Sequence, residues 1–171
     1  MIGAVQSRLR RADAPTVRGG CVYSDEARRS RPGGQAWLVD GLLAAIPAAV
    51  LSGTPSTIAA FVRGREVLEA ARAAGALVAP RASRSRQLLL AVPVHAAISA
   101  LWAIVFSRLL PRSWTVPAAV GAGGAVAALD LRVIGRHIRA IRELPQGPQI
   151  ADHLLFGAIA GTVVAVRRER R

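Results

Sequence analysis

The sequence has no lysine, one cysteine and few aromatic residues, and each shortage excludes something. Every basic side chain is arginine, a pattern that a GC-rich codon bias produces and that carries no mechanism of its own. Cys21 stands alone, so the chain can make no internal disulfide and no CxxC metal or redox site. Aromatic residues are 4% of the chain, too few to interleave with its 23 basic residues. The net charge of +13 would otherwise suggest a nucleic-acid partner. The arginines instead flank apolar runs, where they contact anionic lipid headgroups and set topology, so the expected partner is the bilayer and not nucleic acid. GxSxG, a Walker loop and a Rossmann glycine pattern in a strand–helix setting are all missing.

What the chain does have is apolar sequence cut into lengths. It is 52% hydrophobic, and its mean hydropathy is +0.35 in spite of the arginines. Segregation of this kind is what a bilayer imposes. Residues 1–34 are the polar exception, with Arg8, Arg10, Arg11 and Arg18 among turn formers such as Pro15, Gly19 and Gly20. They bury too little to offset their chain entropy and read as a disordered basic tail. No apolar run of signal-peptide length follows the first arginines. The spacing then predicts an all-α integral membrane domain over 35–166, with four antiparallel spans at about 36–53, 87–108, 114–134 and 150–166. Residues 167–171 read as a basic C-terminal tail.

The first apolar run, GLLAAIPAAVLSGTPSTIAAFV (Gly41–Val62), has two readings. It ends at Gly53 with Thr54–Pro55 opening a second helix, or it continues, kinked, to Val62. Beyond Gly64, Arg65, Glu69 and Arg72 share one helical face, and Val67, Leu68, Ala71, Ala74 and Val78 the other. That amphipathic segment suits the membrane interface. The turn Leu109–Ser113 after the second span is short enough to force an antiparallel hairpin. Span three is rich in small residues and span four carries a GxxxG match. Gly121, Gly124, Gly157 and Gly161 are therefore the expected helix-packing positions, between spans three and four or else in a homo-oligomer. The third helix is expected to continue past the membrane, with Ile134, Ile138 and Ile141 on one stripe and Arg132, Arg136, Arg139 and Glu143 on the other.

With four spans both termini share one side. The arginine count near the membrane is equal on the two sides, and only the arginine-rich tail favours cytoplasmic termini in a plasma membrane. Antiparallel order gathers Ser52, Thr54, His95, Asp130, Asp152 and His153 at one face, with Ser56 and Thr57 beside them. Asp40 falls at the opposite face. Ionisable groups in a membrane are costly and are functional candidates by default. A structural reading competes. Asp152 in the first turn of its helix would suit exposed amides, and Asp130 could pair with Arg132 or Arg136. His95, about 12 Å below the start of its helix, needs a partner: a hydroxyl of span one or a carbonyl freed by Pro93. HxxxH and HExxH are missing, so no metal, haem or other cofactor is expected, and no catalytic residue is identified. The reading is of a non-enzymatic structural or accessory membrane component, alone or with a membrane-protein partner. The alternative is a small proton- or ion-linked transporter using His95, Asp130 and Asp152.

The elements SGTPST, HAAIS, LPRSW and ALDLRVIGRHIRAIRELPQGPQIADHLLFG resemble a group of small four-span bacterial membrane proteins of uncharacterised function. The resemblance covers roughly Trp37–Val166. It implies a four-helix membrane fold and brings no activity, cofactor or catalytic residue with it.

Overall fold

The computed structural model describes residues 35–171; the basic tail and Cys21 lie outside the described residues. Proline and glycine set the helix boundaries. Helix α1 (Ala36–Leu51) ends at Ser52–Gly53, and α2 (Thr54–Val62) opens with Pro55 in its first turn, where a missing N–H costs nothing. Ser52 keeps helical dihedrals and its N–H still reaches Ala48, so the run to Val62 is one apolar path broken for a single turn. Gly64 then adopts φ +62°, and the Gly64 and Arg65 amides return to Phe61 and Ala60. This pairing closes a helix through a left-handed residue, which glycine takes without a Cβ penalty.

Helix α3 (Glu69–Ala76) lies against α4 (Arg84–Leu109) by its small residues. Ala73, Gly75 and Ala76 are buried, while Val67, Leu68 and Val78 are exposed. Small residues win because the backbones nearly touch: a Cβ on Gly75 would sit 1.8 Å from the Gln87 carbonyl oxygen. Helix α5 (Thr115–Ala128) continues through a π turn, Leu129–Ile134, and a 3-10 turn, Gly135–His137. The predicted continuous extension is broken at Ile138, which is extended at φ −117°, ψ 108°. Only a short helix α6 (Arg139–Arg142) follows. Ile141 folds back over Gly135, where a side chain would collide with it. The last helix, α7, runs over Gln146–Glu169, so it starts before the expected boundary and absorbs most of the predicted C-terminal tail.

The described residues are all-helical in their regular structure, and four helical stretches are long and apolar enough to cross a membrane: Ala36–Val62, Arg84–Leu109, Thr115–His137 and Gln146–Glu169. The interior is built from small side chains. Ala44, Ala48, Ala103, Ala119 and Ala160 are wholly buried, whereas Ile46, Val50, Leu89 and Val92 point outward. A water-soluble protein hides such residues; here lipid is their solvent. Helix α5 packs on α7, α7 on α1, and α1 on α4. Gly157 and Gly161 press on Ala119, and Gly123 on the His153 carbonyl, so span three packs on span four. Gly121 touches nothing and Gly124 makes only ordinary contact with Leu154, so the tight position in span three is Gly123. Helices α4 and α5 are consecutive and antiparallel, but they barely touch. An apolar groove of about 280 Å³ separates them.

Candidate functional site

This order places polar groups at both ends of the bundle. The first end holds the N-termini of α1 and α5 and the C-termini of α4 and α7. Asp40, one turn into α1, is 2% exposed. Its Oδ1 accepts from Arg167 Nε at 2.5 Å and from Arg171 Nη2 at 2.6 Å. Arg168 donates to the carbonyls of Ser107 and Leu110 and to Thr115 Oγ1. It thereby closes the C-terminus of α4, whose last carbonyls have no intrahelical donors. Ser107 Oγ donates to the Trp37 carbonyl at 2.6 Å and ties α4 to α1. Arg167, Arg168 and Arg171 thus clamp this end and do not form a free tail, a role not foreseen from the sequence.

The second end holds the expected site, divided into three separate contacts. Asp152 Oδ1 accepts from the Ser56 backbone N–H at 2.9 Å. Ser56 lies in the first turn of α2, so the carboxylate of α7 caps another helix. Asp152 is in the second turn of its own helix, not the first, because α7 starts at Gln146. His153 lies across from Asp130, with Nε2 at 3.2 Å from Oδ2. Its Nδ1 is 2.7 Å from the Gln149 carbonyl, which can only accept, so Nδ1 carries a hydrogen. The contact with Asp130 then requires one further proton, held on Nε2 or on the carboxyl. Asp130 opens the π turn, and its own carbonyl accepts from Gly135. It does not pair with Arg132 or Arg136. His95 Nε2 donates to the Ala49 carbonyl at 3.0 Å. That carbonyl is free because α1 breaks at Ser52–Gly53, not because of Pro93.

Ser52 and Thr54 do not join these contacts. Ser52 is buried at the break, and Thr54 Oγ1 donates locally to the Leu51 carbonyl. Outside the spans, Arg139 and Glu143 pair at 2.6 Å as the spacing predicts, and that hydrogen bond holds the Glu143 carboxyl below the usual carboxylate range. His137 accepts from Arg136 and stays exposed. Among the described residues no three His, Cys, Asp or Glu side chains converge as a metal site would require. The cavity beside Ser56, bounded by Glu66, Glu69 and Gln149, measures about 20 Å³, room for about one water. The chain matches no known protein family, and no curated protein or solved structure matches it.

Proposed function

We propose that this chain is a non-enzymatic structural or accessory component of a membrane, its intramembrane polar groups serving as ties between spans. One observation carries the reading: Asp40, His95, Asp130, Asp152 and His153 each meet a partner from another helix. Groups that must bind and release a solute need open coordination and a wet path. Here the polar contacts are spread along the rim and the adjoining cavity is one water in size. Both termini are cytoplasmic in a bacterial plasma membrane on this reading, because the arginine-rich residues 1–34 are hard to translocate.

A second reading, a small proton-linked transporter, is favoured by the proton that the Asp130–His153 contact requires. Purified protein in liposomes with an interior pH dye separates the two. Under an imposed potential, the structural reading gives proton flux no greater than protein-free vesicles. Flux that disappears in both Asp130→Asn and His153→Gln, at unchanged insertion, would establish the transporter instead.

A further inference from the structure

The groove between α4 and α5, about 280 Å³, is unfilled, and its surroundings specify an occupant. Its walls are Trp102, Val105, Leu109 and Leu110 on one side and Ala122, Ala125 and Leu129 on the other. Phe106 and Val126 form its floor, with Phe106 seated against Phe156 of α7 at 5.9 Å. The lining is apolar throughout, and the residues on the outer face of α5, Gly121 and Ala125, are too small to fill it. It exists because α5 is drawn onto α7 through Gly123, Gly157 and Gly161, while α4 is drawn onto α1 through Gly41 and Ile104. The lining residues run from Trp102 to Leu110 on α4, about 12 Å, and from Ala122 to Leu129 on α5, about 10 Å. The groove therefore follows about two turns of each helix, most of the ~15 Å thickness of one leaflet's hydrocarbon.

Charge is concentrated where the groove meets the loop. Arg108 precedes the lining residues Leu109 and Leu110, and Arg112 follows them. Neither has a carboxylate partner among the described residues, and Arg112 lies close enough to Arg168 for their charges to repel. Asp40 is already committed to Arg167 and Arg171. An apolar groove whose loop-end lining residues are flanked in the chain by arginines without carboxylate partners has the chemistry of an anionic phospholipid site. We propose that the α4–α5 groove holds an acyl chain of an anionic glycerophospholipid, with its phosphate against Arg108 and Arg112. The inference stands apart from the structural or transport reading, since the groove does not include the Asp–His contacts.

Trp102 in the wall supplies the probe. In a Trp37→Phe, Trp114→Phe background it is the only tryptophan in the chain. The full chain is placed in phosphatidylcholine bilayers with a small fraction of either phosphatidylglycerol or phosphatidylcholine brominated at mid-chain. Preferential quenching by brominated phosphatidylglycerol is expected. Each arginine near an anionic headgroup contributes about a five-fold preference, so Arg108→Gln with Arg112→Gln lowers the preference by roughly thirty-fold. Arg132→Gln with Arg136→Gln, the same charge loss at the other end, leaves it in place. Equal quenching by the two lipids in the unaltered-arginine protein overturns the proposal, as does an equal fall in both double variants. A Trp102 shielded from both lipids, with protein cross-linked through Ala125→Cys, would mean that a second copy fills the groove, which also overturns it. Monodisperse elution and an unchanged helical spectrum are required of every variant scored.

Discussion

The two ends of the bundle use the same kinds of residue in different ways. At the first end a single carboxylate, Asp40, is nearly sealed and takes two arginines from the last turn of the chain. At the second end the carboxylates are only half-buried and each has one partner, a backbone amide for Asp152 and an imidazole for Asp130. A sealed anion with its cations at hydrogen-bond distance cannot lose one partner without leaving a buried charge. A half-buried carboxylate at the membrane rim can turn to water instead. The first end is therefore the stronger lock on the fold.

Substitutions at five positions test this contrast, read by unfolding in SDS-containing mixed micelles. Asp40→Ala should cost most. Removing one member of a fully buried ion pair costs about 3–5 kcal/mol. Arg167 and Arg171 keep 35% and 40% side-chain exposure, which lowers the expectation to about 2–3 kcal/mol. Gly123→Ala comes next, at about 2 kcal/mol, because its Cβ would lie 2.3 Å from the His153 carbonyl and must separate α5 from α7. Gly121→Ala, with nothing near it, should change little. Asp152→Ala removes the cap on α2 and should cost about 1 kcal/mol, with Asp152→Asn recovering most of that. His95→Ala should cost about 0.6 kcal/mol, the usual worth of one interhelical hydrogen bond in a membrane. If Asp152→Ala proved costlier than Asp40→Ala, the ranking of the two ends would be reversed.

Much of this fold was legible in the sequence because membrane spans announce themselves by length and hydropathy alone. The even span number correctly placed Asp40 at one end and Asp130, Asp152 and His153 at the other. The Asp40 clamp was not legible because its partners are 127 and 131 residues away, beyond any local pattern. A signal existed: a lone acidic residue opening the first span and an arginine run closing the last must meet on one side. The break after α5 was missed because the Ile134, Ile138 and Ile141 stripe keeps helical spacing across it. Only Gly135, beneath Ile141, marks where the chain folds back. Asp152 and His153 were adjacent in sequence and invited a shared role. On one helix their side chains diverge by about 100°, and so they serve different neighbours.

The most direct test of the central claim is water access at the second end. Single cysteines at positions 95, 130 and 153, in a Cys21→Ser background, are exposed to a membrane-impermeant thiol reagent in right-side-out and inverted vesicles. The account predicts labelling at 130 and 153 in one preparation only, at the rim, and none at 95 in either. His95 is exposed on the outer face, so labelling at 95 would put that face in water instead of hydrocarbon and contradict the reading of these groups as intramembrane ties.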